Sequence, residues 1–305
     1  MVTLPTTCRL CPRACGANRA LGERGACGAS DELVVARAAL HAWEEPPISG
    51  SVGSGTVFFA YCPLRCVYCQ NAPIAQGHAG RVITVERLSE ICLELAAQGA
   101  ANINFVTPTH FAPHAREAVR LARARGLLLP IVWNTSGYET VEAVRENAGT
   151  VDVYLSDFKY MSADAARRYS HAPDYAQVAF AALDAMVKEV GAPAFDEYRG
   201  EVRMTRGVIV RHLILPGGLE DSKAVVRAVY ERYGDSVMLS LMNQYTPVLT
   251  GQELLHYPEL AGRVSDAAYE ELLDFADSLG IKDYFWQEGG AATESFIPPF
   301  DLTGV

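Results

Sequence analysis

From Thr56 onward, apolar runs rich in β-branched and aromatic residues alternate with amphipathic helical stretches, and few architectures accommodate that order. Strands are predicted over 57–61, 102–106, 127–133, 151–158, 207–215 and 237–242. Helices are predicted over 84–97, 113–125, 139–147, within 162–190, and over 220–233 and 265–279, with a short apolar run at 284–286. The strands are almost continuously apolar, as in a parallel sheet covered on both faces. Polar residues recur just past one strand after another. That pattern favours an α/β partial barrel, (β/α)6 with parallel strands, over a doubly wound sheet, because barrels gather their chemistry at the carboxyl ends of the strands.

The segment before this alternation reads differently. Residues 1–30 are rich in Cys, Arg, Gly and Ala without an apolar period, so a metal would have to supply much of their order. A strand is plausible over 34–40, and the Pro and Gly density of 44–55 marks a flexible connector. Gly50, Gly53 and Gly55 do not form a phosphate loop, since they precede a strand and no Gly-Lys-Ser/Thr follows. The expected organisation is a cysteine-rich metal-binding lobe with its connector over 1–50, then a partial barrel with a C-terminal extension over 51–305.

The chain has 305 residues, half of them hydrophobic, enough for one large core. Its net charge of -10, with no concentrated basic tract, argues against a nucleic-acid partner. The start lacks a secretory pattern and no apolar run is long enough to span a bilayer, so a cytoplasmic location away from membranes is expected. In such a reducing compartment eight cysteines are poor candidates for disulfides, and all but Cys92 fall in two tight clusters, which points to metal. Cys92, amid the apolar positions of a predicted helix, reads as a small core residue.

Cys62, Cys66 and Cys69 begin directly after the first barrel strand, in a C-x3-C-x2-C pattern with Tyr68 before the last cysteine. A [4Fe-4S] cube takes four ligands, so three close thiolates without a nearby fourth leave one iron open. A zinc site would need another ligand, such as His78. The motif resembles that of the radical S-adenosylmethionine superfamily. Beyond it, the chain from about residue 8 to 247 resembles the pyruvate formate-lyase activating enzymes, especially their longer relatives with an N-terminal four-cysteine motif. The resemblance implies a reduced cluster that cleaves S-adenosylmethionine to a 5′-deoxyadenosyl radical, an oxidoreductase of anaerobic metabolism, and an electron donor of flavodoxin or ferredoxin type.

The same resemblance assigns the strand ends. Thr107, in Asn104-Phe-Val-Thr-Pro-Thr-His110, stands where activating enzymes carry Gly-Gly-Glu, and its backbone would receive the nucleotide's amine. Asn134 and Ser136, in Trp133-Asn-Thr-Ser-Gly137, resemble Asp-Thr-Asn-Gly, which lines the nucleotide; Asn134 removes one anionic ligand. Asp157 and Lys159 match Asp-x-Lys, Lys159 being suited to the carboxylate or ribose. Arg211, before Pro216-Gly217 and Asp221, would grip the carboxylate with two bonds. His110 and His114, four apart, would share a helix face as a polar cap or a substrate contact. The last strand ends in Asn243-Gln-Tyr245, where activating enzymes carry Leu-Pro-Tyr-His, and this argues for a different substrate.

Cys8, Cys11, Cys15 and Cys27 offer four thiolates in a closed set, which suits structural zinc or a second [4Fe-4S] cluster. The knuckle-like C-x2-C favours zinc. The leading reading is a radical enzyme that removes hydrogen from a partner, a glycyl-radical protein by resemblance. A small molecule or peptide is the alternative substrate. A non-catalytic iron–sulfur electron carrier is the contrasting class.

Overall fold

The computed structural model describes residues 2, 4–287 and 297–305. Its strands are β1 (Leu33–His41), β2 (Ser54–Phe59), β3 (Arg81–Ile83), β4 (Ile103–Val106), β5 (Ile131–Thr135), β6 (Val153–Asp157), β7 (Ala194–Tyr198), β8 (Glu201–Leu213), β9 (Met238–Met242) and β10 (Tyr284–Trp286). They form one sheet in the order β10-β9-β8-β6-β5-β4-β2-β1-β3, with β7 paired to β8. Every neighbouring pair from β2 to β10 in that path is parallel, whereas β1 runs antiparallel to both β2 and β3. Helices cross between the parallel strands, and those at Val85–Ala97, Val141–Glu146, Ala163–Ser170 and Asp266–Ser278 each begin on a Ser or Thr whose hydroxyl accepts a first-turn N–H.

The sheet curls without closing, as the predicted partial barrel requires. In a flat sheet β2 and β9, five steps apart, would lie roughly 24 Å from each other at about 4.8 Å per step. Yet Gln70, just past β2, donates from Nε2 to the carbonyl of Gln244, just past β9, at 2.6 Å. Only a strongly curved sheet brings those loops together.

Alternate residues of the strands face opposite sides. Ile131, Trp133, Tyr154, Val208 and Val210 pack outward under the helices, with Cys92 in the same core. Val132, Val153, Leu155, Met204 and Ile209 face inward and form a separate apolar cluster with Ile48. Ile48 comes from the segment read as a flexible connector, and there the structure corrects the sequence. Pro46–Ser49 is a helical turn, Ile48 is fully buried, and Ser54 and Gly55 already belong to β2. Proline density marks a rigid plug here, because two fixed φ angles start a helical turn at no cost in N–H bonds. Across the boundary expected near residue 50, β1 pairs with β2 from Val35 to His41.

Two further differences have local causes. The third barrel strand begins at Ile131, not at Leu127, because Pro130 has no N–H for the ladder. The β7–β8 hairpin, absent from the sequence reading, turns on Arg199 and Gly200, both with positive φ as a tight hairpin turn demands.

If Ile48 plugs the sheet interior, Ile48→Ala should cost about 2–5 kcal/mol in urea unfolding, while Leu128→Ala at an exposed loop position should cost almost nothing. Equal small effects would mean that the segment does not hold the fold together.

Candidate active site

A cavity of about 340 Å³ opens at the carboxyl ends of the parallel strands. Cys62, Cys66 and Cys69 line it, together with Tyr68, Thr107, Asn134, Ser136, Asp157, Lys159 and Arg211, so all ten residues proposed for cluster and nucleotide share one space. The backbone is strained around it. Tyr61, Arg65 and Thr107 all have positive φ, a conformation that side chains with a Cβ disfavour and that concentrates at functional sites.

The three triad thiols are half-buried on the cavity wall. Burial first, and then the neighbouring cysteines, push Cys62 up to about 11 and Cys69 up to about 12. Three thiolates crowded there would repel one another unless a cationic centre offset their charge, and iron of a [4Fe-4S] cluster does so. The Ser170 hydroxyl donates to the Cys66 sulfur at 3.0 Å, as groups around metal-bound sulfur do. Ser170 in turn meets Tyr160, whose hydroxyl donates to that of Tyr68 at 2.6 Å. The residues present therefore fit the cluster. Among the described residues, no group of three or more Cys, His, Asp or Glu side chains is set to hold a single metal ion.

An ion network crosses the cavity floor. Asp157 accepts from Lys159 at 2.7 Å and from Arg211 Nε at 3.0 Å. Burial pushes the Asp157 carboxyl up, but the two flanking cations overcome it and hold it below its ordinary value. Lys159 and Arg211 are held above theirs against burial, chiefly by Asp157. Arg211 also donates to Glu44 Oε2 at 3.1 Å and to Asn134 Oδ1 at 2.6 Å. Its planar fork thus already serves three acceptors, a position more anchored than the free carboxylate grip read from the sequence. Glu44 Oε1 accepts from Asn104 at 2.9 Å and Asn134 at 3.2 Å.

Glu44 and its neighbour Glu45 were missed in the sequence because they precede the barrel and lie in an apparent linker. Ser170, Tyr160 and Tyr175 lay inside helical or loop stretches without a motif. The Tyr175 hydroxyl accepts from Lys159 N at 3.0 Å and lies 2.8 Å from the Ser136 carbonyl, tying two strand ends together. Gly137 is forced at the same place, since a Cβ there would stand 2.1 Å from the Asp157 carbonyl oxygen.

His110 and His114 do not reach the cavity. His110 is buried and donates from Nε2 to the Ala60 carbonyl at 2.8 Å; burial pulls His110 down to about 3 and His114 to about 4, so both are neutral. His212 likewise sits between the Phe158 carbonyl and Ser222, and Asp221 accepts from the Met161 and Ser162 N–H groups.

The N-terminal cysteines lie together in a lobe that grips the barrel. Cys8, Cys11 and Cys27 are buried and Cys15 is exposed. A Cβ at Gly25 would meet the sulfur of Cys15 at 3.1 Å and that of Cys27 at 3.6 Å, so a larger residue there would press on the Cys15 thiol. Two arginines dock the lobe. Buried Arg19 donates to the Ser30 and His110 carbonyls, and Arg13 to the carbonyls of Pro63 at 3.0 Å and Ser170 at 2.8 Å. Arg13 thus joins the triad loop to the end of the helix that carries Ser170.

Comparison with known proteins agrees with this geometry. Residues 56–191 match the Radical SAM superfamily model. The chain is 28% identical over 282 residues to an uncharacterized protein of Methanocaldococcus jannaschii, covering 90% of this chain and 75% of that one. Its fold is similar to that of a radical SAM methyltransferase from Sphaerobacter thermophilus, with TM-score 0.54 and 15% identity, over 79% of this chain and 69% of the other. SuiB of Streptococcus suis, solved with its precursor peptide SuiA, aligns at TM-score 0.49 and 12% identity, over 76% of this chain and 48% of its own.

Two outcomes follow from the local contacts. Arg13→Ala should speed amide hydrogen exchange across 63–69 and around Ser170; unchanged exchange would show that the lobe does not support the loop. Glu139, buried and accepting from Thr109 and Thr135 at 2.5 Å each, is pushed by burial from 4.5 up to about 7. A carboxyl raised on folding binds its proton more tightly in the native state, so stability should fall as pH rises from 4.5 to about 7 and level off above. Glu139→Gln should flatten that slope in chemical denaturation.

Proposed function

We propose that the chain, whose residues 56–191 match the Radical SAM superfamily model, cleaves S-adenosylmethionine reductively and removes a hydrogen atom from a second molecule. The observation that carries this reading is the meeting of Cys62, Cys66 and Cys69 with the Asp157–Lys159–Arg211 network in one cavity. When bound, a [4Fe-4S] cluster with one open iron supplies an electron to the sulfonium of S-adenosylmethionine, yielding a 5′-deoxyadenosyl radical.

The protein's share is orientation and shielding. Lys159 offers the nucleotide's carboxylate or ribose a charge-assisted bond, and Asp157 aims it. Ser136 and Thr107 line the cavity from neighbouring strand ends, and Arg211 holds Asn134 in place for the methionyl group or ribose. Thr107 N donates to the Asn134 carbonyl at 2.8 Å, which turns the Thr107 backbone over the mouth. The Gln70 to Gln244 bond narrows the opening and limits water.

Two hydrogen sources suit this reading. Motif resemblance supports a glycine of a glycyl-radical protein, with a flavodoxin- or ferredoxin-like protein donating the electron. A small molecule or peptide is favoured by an unpartnered carboxyl oxygen of Glu45 within the cavity. The N-terminal cysteines, which the structure does not gather around one point, are proposed to close on a structural zinc when it binds, with a second cluster as the other assignment.

Anaerobic reconstitution with iron and sulfide, then dithionite and S-adenosylmethionine, should yield 5′-deoxyadenosine; a cluster seen by spectroscopy with no such product would leave an electron carrier. Cys66→Ala should abolish the product. A Cys62/Cys66/Cys69 triple variant should retain zinc and no iron, and iron retained there would assign the N-terminal site to a second cluster.

A further inference from the structure

Among the described residues, four charged groups of the cavity floor pair off and Glu45 stands outside those ion pairs. Glu44 and Asp157 are matched by Lys159 and Arg211 through direct contacts. Glu45 is left over. It is only 7% exposed, it lines the cavity, and among the described residues its Oε2 has no hydrogen-bond partner. A buried carboxyl oxygen without a donor costs about 1–3 kcal/mol or more, and a fold keeps such a group where a ligand satisfies it.

The side chain is also held in place. Glu45 adopts extended backbone before Pro46, as a pre-proline residue must, and its carbonyl accepts the N–H groups of Ile48 at 2.8 Å and Ser49 at 3.1 Å. Rotation of the backbone to reach solvent would break the plug. Burial pushes the Glu45 carboxyl up, while Arg211 of β8 and a hydrogen bond with Ser240 of β9 pull it the other way. Phe58, Phe285 and Trp286 supply apolar wall to the same cavity.

We propose that Glu45 receives the protonated amine of the hydrogen-donating substrate, an ammonium on an apolar stem. The proposal rests on the function proposed above. The ammonium donates to Oε2 and stabilises the ionised carboxylate that burial disfavours, and the stem lies against the aromatic wall. S-adenosylmethionine carries an ammonium too, but that group would be taken up by the open iron of a cluster on Cys62, Cys66 and Cys69.

The test uses full-length, cluster-reconstituted protein under anaerobic calorimetry. The probes are 2-phenylethylamine, its uncharged counterpart 2-phenylethanol, and S-adenosylmethionine. Wild-type protein should bind the amine at least about tenfold more tightly than the alcohol, as a charged hydrogen bond in a buried site does. Glu45→Gln should erase that preference. A preference retained in Glu45→Gln overturns the proposal. So does wild-type protein that binds S-adenosylmethionine yet treats amine and alcohol alike, a comparison that stands even if Glu45→Gln does not fold and that leaves the cluster reading intact. Loss of S-adenosylmethionine affinity in Glu45→Gln, with no amine binding by wild-type protein, assigns the ammonium to the nucleotide and overturns the substrate assignment. Protein that binds neither overturns both readings.

Discussion

Arg211 holds the interior of this fold together. From β8 it donates to Asp157 on β6, to Asn134 on β5 and to Glu44 in the segment before β2, three carbonyl-bearing groups from three parts of the chain. A guanidinium is the one side chain with enough donors in a rigid plane to do this, and it never loses its charge. Removing it would leave the buried Glu44 carboxylate without a cation and Asp157 with Lys159 alone, so the network favours one arrangement of the strand ends over any sheared alternative. Lys159 completes the neutral set. The cavity floor is consequently rigid where a nucleotide would need fixed donors.

The same network accounts for an amide, and not a carboxylate, at residue 134. The Asn134 Nδ2 lies 3.2 Å from Glu44, so a carboxylate there would meet a second carboxylate inside the sheet. The amide instead donates to Glu44 and accepts from Arg211. Asn134 and Glu44 act as one unit, in which the plug carries the anionic charge and the strand end a neutral amide.

The N-terminal lobe acts on the site through geometry. Arg19 anchors it behind the loop after β4, and Arg13 bridges the triad loop and the Ser170 turn. Since Ser170 donates to Cys66, order in the lobe is passed to a cluster ligand through two side chains. A metal bound by Cys8, Cys11, Cys15 and Cys27 would stiffen that path.

Much of this was legible in the sequence. Periodicity dictated the parallel strands, since a strand buried on both faces must be apolar throughout, and the cysteine spacing with Tyr68 dictated the triad. The strand-end residues Asn134, Ser136, Asp157, Lys159 and Arg211 could be named because their segments resemble family motifs, and the strand boundaries only placed those motifs at the chemical end. Other features depended on contacts between residues far apart in the chain. Glu44, Glu45 and Ile48 read as linker because local composition reports flexibility, and only the curvature of the sheet creates the interior they fill. His110 and His114 had the spacing of a functional pair, yet burial makes them neutral packing groups. Whether a charged group is paired, spare or silent depends on what surrounds it in three dimensions. That decided the engagement of Arg211 and the isolation of Glu45, which no stretch of sequence encodes by itself.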